Sequence, residues 1–239
     1  MKQVILIGTS HIARQSINIV KSVINEEKPD VVAVELDIMR FQALMSKNPG
    51  KQKPRFSLYS IRAVGLKGFL FALIGSWLSK KLGRLVRVDP GEDMLTAIKA
   101  ANASNIKIAL IDQNINITLS RFSRYFSWKE RLNFVVDIFR GLISPKSEIE
   151  KLGIDKLDLS KVPSEELIEK VLYKTKSRYP NIFRVLVHER NVFMVKKIIH
   201  LMSREDINKL IVVVGAGHRK GMTMLLEDQP KAQFGIRVM

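Results

Sequence analysis

The chain contains no cysteine in 239 residues. Disulfides, thiolate nucleophiles and cysteine-ligated zinc are therefore excluded. Acidic residues are scarce, with 23 Asp and Glu against 40 Lys and Arg, so the net charge is +17. That excess favours an anionic partner such as a membrane surface or a phosphorylated ligand. The shortage is local. Between Asp37 and Asp89 there is no acidic residue, while eleven Lys and Arg fall in the same interval. Long hydrophobic runs are also missing. Within Ala63–Leu82 only Gly68–Ser79 is free of charge, well short of the ~20 apolar residues that span a bilayer. The amino terminus opens directly into an apolar strand pattern, without the apolar core or cleavage site of a signal peptide, and the expected location is cytoplasmic. Histidine occurs only four times.

Two of those histidines stand in matched contexts. Val4-Ile5-Leu6-Ile7 leads into Gly8-Thr9-Ser10-His11, and Ile211-Val212-Val213-Val214 leads into Gly215-Ala216-Gly217-His218. A β-branched run of this kind suits a strand buried on both faces of a parallel sheet. The glycine is expected to let the chain turn sharply out of the sheet. Each histidine then falls just beyond the carboxyl end of its strand, where open α/β sheets bind ligands.

The rest of the chain alternates between the two periodicities. Strands are expected at 3–8, 31–34, 107–111 and 210–214, with a short final one over 234–239. Helices are expected at about 12–26, from Asp89-Pro90 through Ala103, from Ser127 through about Arg140, and at about 164–176 and 181–203. Asp89-Pro90-Gly91-Glu92 and Ser127-Trp128-Lys129-Glu130 have the form of capping boxes. The expected fold is α/β: one domain over 1–239 with a largely parallel central sheet flanked by helices. It carries a basic, apolar helical insertion at about 38–88 and a helical segment at about 120–203.

Four strands finish in a polar group: His11, Glu35, Asp112 and His218. Parallel, adjacent strands would bring all four to one edge of the sheet. Two imidazoles and one or two carboxylates suit a divalent transition metal such as Mn, Co, Zn or Fe. Such a metal lowers the pKa of bound water, and a remaining carboxylate can serve as general base. Without metal, the same residues suit His/Glu acid–base chemistry. An acidic residue that closes a strand also often does no more than cap the next helix. His188-Glu189-Arg190-Asn191-Val192 is not a zinc-protease helix, because Val192 stands where the second histidine ligand is required. Trp77 with Lys80, Lys81 and Arg84 forms a candidate contact with an anionic membrane surface; a buried helix or homodimer contact is the alternative for that segment. Nucleic acid is disfavoured, because the aromatic residues there sit in an apolar block rather than among the basic ones.

These motifs together resemble the TraB/PrgY family, related to the Tiki metalloproteases and more distantly to erythromycin-esterase-like and ChaN-like proteins. The matching stretches are Gly8–His11, Val32–Leu36 with Arg40, Pro90–Met94, Ile111-Asp112, Thr118-Leu119 with Arg121, Glu189-Arg190 with Met194, and Gly215–His218. The resemblance implies a metal-dependent hydrolase site with His11, His218 and Glu35 as ligands, Glu35 serving as ligand or base. Arg121 and Arg190 would orient substrate or an oxyanion, with Asp112, Glu189 and Asp93 behind them. It also implies an action on peptide signals such as pheromones. Asp93 stands where the family usually has Glu, and Gln113 follows Asp112 where it often has Arg. The alternative from another class is a non-catalytic protein that sequesters a peptide or sits on a membrane surface.

Overall fold

A computed structural model describes residues 2–9, 14–46, 91–143, 164–229 and 234–239. Its centre is a five-stranded sheet in which every pairing is parallel, in the order β3-β2-β4-β1-β5. The strands are β1 (Lys2–Thr9), β2 (Val31–Val34), β3 (Lys107–Leu110), β4 (Lys209–Gly215) and β5 (Phe234–Val238). As expected for strands covered on both faces, Val4 to Ile7, Val31 to Val34 and Leu210 to Val214 are all buried. Alternate side chains divide between two cores.

One core takes Ile5, Ile7, Val32, Val34, Ile211 and Val213 against helices α1 (Arg14–Glu27) and α3 (Glu92–Ala103). The other takes Val4, Leu6, Val31, Ala33, Val212 and Val214 against α8 (Glu189–Met202) and α9 (Ala216–Glu227). The connection after β1 thus leads to one face and the connection after β4 to the other. Because β1 and β4 are neighbours, their carboxyl ends form a topological switch point, the usual ligand crevice of an open α/β sheet.

The remaining described helices are α2 (Ile38–Met45), α4 (Ile115–Tyr125), α5 (Trp128–Ile143), α6 (Glu165–Arg178) and the short α7 (Pro180–Phe183). A π-helical turn, Arg184–His188, joins α7 to α8. Among the described residues no helix is long and apolar enough to cross a membrane.

Several expectations need adjustment. Helix α3 starts at Glu92 rather than Pro90, because Gly91 takes a left-handed conformation (φ 89°) immediately before it; Asp89 and Pro90 lie outside the described residues. Helix α4, capped by the Asn114 side chain on the Asn116 amide, had no expected counterpart at its amino end. The helix expected over 181–203 is interrupted by the π turn. Neither Gly8 nor Gly215 has a positive φ, so a sharp turn is not what glycine supplies there. At Gly8 the reason is space: a Cβ would lie 2.7 Å from Cδ of Arg219. The Ser127/Glu130 capping box is present, with the Glu130 amide donating to Ser127 Oγ and the Ser127 amide to Glu130 Oε2.

Candidate functional site

The described parts of the two Gly-x-x-His units lie side by side. Gly8 is in register with Val214, and Thr9 with Gly215. On the other side of β4, the Glu35 amide donates to the Val213 carbonyl (3.1 Å), extending the pairing of β2 by one residue. Strand alternation sends the Glu35 side chain to the face of Val31 and Ala33, where α8 and α9 pack. There its Oε2 accepts the Gly215 amide at 2.6 Å. Gly215 is the N-cap of α9, so the carboxylate sits at the positive end of that helix.

His218 belongs to the first turn of α9 and is 8% exposed. Its Nε2 is 3.4 Å from Glu35 Oε1. The same Nε2 faces Nη1 of Arg190 at 3.1 Å. A guanidinium only donates, so Nε2 must present its lone pair and Nδ1 must carry the ring proton. That proton is directed at Oδ1 of Asn191, 2.6 Å away. Arg190 and Asn191 are consecutive residues of α8 and together fix the tautomer and the plane of the ring. Gly221, one turn along α9, leaves the space this needs: a Cβ there would come within 2.5 Å of Asn191 Nδ2.

Arg190 connects the set. It donates to Glu35 Oε1 through Nη2, to Asp112 through Nε (3.0 Å) and Nη2 (2.6 Å), and to the Leu186 carbonyl in the π turn (3.2 Å). Burial opposes its charge, but Glu35 and Asp112 outweigh that and hold its pKa above the ordinary arginine value. Asp112 also accepts from Arg40, which in turn donates to Asp37 at 2.8 Å. Asp37 is a helix cap, accepting the Met39 and Arg40 amides at the start of α2. Two arginines thus face three carboxylates, all of them buried. Such groups stay charged in a low-dielectric interior only when paired in this way.

The structure brings Glu35, Asp112, Arg190 and His218 together. Asp93 reaches the same sheet edge through Thr9, whose hydroxyl lies 2.5 Å from Asp93 Oδ2 and 3.1 Å from the Val214 carbonyl. Arg121 and Glu189 pair with each other beside this set, through two hydrogen bonds of 2.6 and 2.8 Å, and Arg184 adds a third at 3.0 Å. Hydrogen bonding from Arg121, opposed by burial and reinforced by Arg184, holds the Glu189 carboxyl below its usual range. His11 lies outside the described residues, as do Trp77, Lys80, Lys81 and Arg84.

Among the described residues no set of three or more His, Cys, Asp and Glu could hold a metal. Two donors nevertheless fit one by their chemistry. Nε2 of His218 and Oε1 of Glu35 lie 3.4 Å apart, and Asn191 supplies the outer hydrogen bond that orients a metal-binding histidine. Sequence reasoning assigned no role to Asn191, Gly221, Asp37 or the Leu186 carbonyl. Their only signal is adjacency: Asn191 follows Arg190 on the buried side of an amphipathic helix.

The sequence model of the TraB/PrgY/gumN family matches residues 1–235. The chain is 35% identical over 225 residues to "Uncharacterized protein MJ1365" of Methanocaldococcus jannaschii, covering 93% of this chain and 53% of that protein. It is 24% identical over 240 residues to a human "TraB domain-containing protein", and 24% identical over 245 residues to its Bos taurus counterpart. Each of those matches covers 92% of this chain and 61% of the mammalian protein, so the chain spans little more than half the length of these relatives. The match of the family model along nearly its whole length shows that this chain belongs to the TraB/PrgY/gumN family.

Proposed function

We propose that this chain is a hydrolase acting on peptide bonds, with its reacting centre between Glu35, His218 and Arg190. The observation that carries the reading is the tautomer lock: Asn191 and Arg190 hold His218 so that its Nε2 lone pair lies 3.4 Å from a buried carboxylate oxygen. A basic nitrogen held beside a buried carboxylate, with a guanidinium in reach of both, is a set that acyl transfer to water can use. Glu35 is the candidate general base or ligand. Arg190, with Arg121 at the rim, would orient a substrate carbonyl or hold the oxyanion. Asp112 keeps Arg190 in place through two hydrogen bonds, and Glu189 does the same for Arg121.

A divalent transition metal (Mn, Co, Zn or Fe) would be held by His218, Glu35 and His11. It would supply a water of lowered pKa and a polarised carbonyl. One observation favours a second reading. Arg190 Nη1 already uses the His218 lone pair, so that contact and a metal on Nε2 exclude one another. In a metal-free site Arg190 provides the positive charge, while Glu35 or the Nε2 of His218 takes the proton from the attacking water.

The decisive experiment pairs elemental analysis of protein purified without chelator with a peptide-library hydrolysis assay, on wild type, His218→Ala and Glu35→Gln. Near-stoichiometric metal lost in His218→Ala, with turnover lost in both variants, supports the metal hydrolase. Turnover without metal, lost in both variants, supports the acid–base site. Peptide binding retained in Glu35→Gln, with no turnover in wild type, leaves a non-catalytic peptide-sequestering protein.

A further inference from the structure

We propose that the outer face of α5, together with the basic groove beside it, docks onto a bilayer surface of anionic phospholipids. Trp128, Leu132, Val135 and Phe139 follow one another at intervals of four, three and four residues. At 3.6 residues per turn they fall within an arc of about 60°. All four are solvent-facing: Trp128 is 80% exposed, Leu132 66%, Val135 47% and Phe139 60%. A contiguous apolar ridge of this kind on a folded surface marks a contact site.

The charge beside the ridge identifies what it contacts. Lys129 and Arg140 are exposed on one flank of the same helix. On that flank α5 and α6 enclose an open groove lined by Lys129, Asn133, Tyr173, Lys174, Ser177 and Arg178. It presents the Lys129 and Lys174 side chains and the Tyr173 and Ser177 hydroxyls, donors that suit a phosphate headgroup, while its Asn133 amide donates to the Arg178 carbonyl at 3.1 Å. Among the described residues, Asp137 beside it is tied to Arg178 and to the Tyr179 hydroxyl and lies 3.9 Å from Arg140. Of the three carboxylates at the other end of α6, Glu165 and Glu169 are engaged by Arg219 and Lys220, and Glu166 is exposed. On the opposite flank the Arg131 guanidinium stacks 4.4 Å from the Trp128 ring. A tryptophan with an apolar face and a cation on the other suits the boundary between acyl chains and headgroups.

A second copy of the chain fits this face less well. From Trp128 to Phe139 the ridge is about 17 Å long. One such helix stripe falls well short of the ~800 Å² per partner of a stable interface. An antiparallel pairing would also set Lys129 of one copy near Arg140 of the other, a repulsive contact. A lipid surface needs no shape complement and attracts those same charges.

The test is co-sedimentation of the full chain with vesicles of equal parts phosphatidylcholine and phosphatidylglycerol, and with phosphatidylcholine alone. Trp128 fluorescence is followed in parallel in a Trp77→Phe background. Binding to the anionic vesicles is expected to exceed that to neutral ones by about tenfold or more and to weaken with salt, with a blue shift of Trp128. Two variants, Leu132→Ser/Phe139→Ser and Lys129→Glu/Lys174→Glu, should each reduce it by about tenfold while keeping the wild-type circular dichroism and melting temperature. Absence of wild-type binding, or binding unchanged in both variants, would overturn the proposal. So would a concentration-dependent dimer in analytical ultracentrifugation that Leu132→Ser/Phe139→Ser abolishes, which would assign the face to a second copy. None of these readouts depends on hydrolysis, so the result stands apart from the proposed reaction.

Discussion

Glu35 and Glu130 are both buried, at 5% and 1% exposure, yet they are solvated by opposite means. Glu130 receives five hydrogen bonds: from the Ser127 amide and hydroxyl at the start of α5, from the Asn181 amide and side chain, and from the Ile182 amide at the start of α7. One carboxylate thus caps two helices, and most of its donors are backbone groups that move only if a helix moves. Among the described residues Glu35 has one backbone donor, Gly215. Its other described neighbours are the Arg190 guanidinium and the His218 imidazole, one a cation and the other able to carry a proton. Burial of a charge therefore does not by itself mark a site. A carboxylate held by backbone donors holds the fold together, whereas one held by ionisable side chains is poised to exchange a proton or bind a cation.

The largest effect expected from this contrast is at Glu35. Glu35→Gln keeps the shape and removes the base, so turnover should fall by about 10²- to 10⁴-fold. Peptide hydrolysis measured beside thermal unfolding checks this; unchanged turnover would remove Glu35 from the chemistry. Glu130→Ala should do the reverse. Leaving buried donors at two helix starts without an acceptor should cost about 3 kcal/mol in urea unfolding, with turnover unaltered at temperatures where the variant is folded.

Glu130 also carries a pH signature. Burial alone would raise its pKa, but the donors of Ser127 and Asn181 outweigh burial and hold it below the ordinary 4.5. Its contribution is therefore complete above pH 4.5 and disappears as pH falls through the lower folded value. Glu130→Gln should flatten that acid limb of the stability curve.

Gly221→Ala tests the support of His218 rather than the reacting groups. A Cβ 2.5 Å from Asn191 Nδ2 forces that side chain aside. Loss of this outer hydrogen bond should lower turnover or metal affinity by about 10- to 100-fold, with a smaller effect on melting. The smallest effects belong to the half-exposed pairs. Arg121→Gln should change stability by less than about 1 kcal/mol. Burial, and then its hydrogen bond to Asp137, push the Tyr179 hydroxyl up from 10.0 to about 12. Its stabilisation should be complete below pH 10 and fade as pH rises toward 12, a slope that Tyr179→Phe would remove. A titration of unfolding free energy across that range checks the sign.

The strands were legible because short runs of consecutive apolar, mostly β-branched residues suit a buried strand, and Val4–Ile7 and Ile211–Val214 are indeed buried. The Ser127/Glu130 box was legible because a capping box is a local, four-residue object. Its second role was not, since Asn181 approaches Glu130 from 51 positions away. Glu35, Asp112 and His218 were legible as strand-end groups, and Arg190 through the family resemblance. The bonds that join them cross the sheet: Arg190 to Glu35 spans 155 positions and Gly215 to Glu35 spans 180. The glycines were legible as positions but not as reasons, because the space that Gly8 and Gly221 leave is filled by Arg219 and Asn191 from other elements.

By itself, then, the sequence determined what depends on composition and on neighbours along the chain: the +17 charge, the absence of thiol chemistry, the strand and helix periods and the local caps. Only the tertiary structure decided that β4 inserts between β1 and β2, placing Gly215 beside Thr9 on one side and near Glu35 on the other. It also decided that Arg190 and Asn191 fix the His218 tautomer, and that Trp128, Leu132, Val135 and Phe139 of α5 are exposed. Strand order, tautomer and exposure depend on which distant segments meet, and a local pattern carries no information about that meeting.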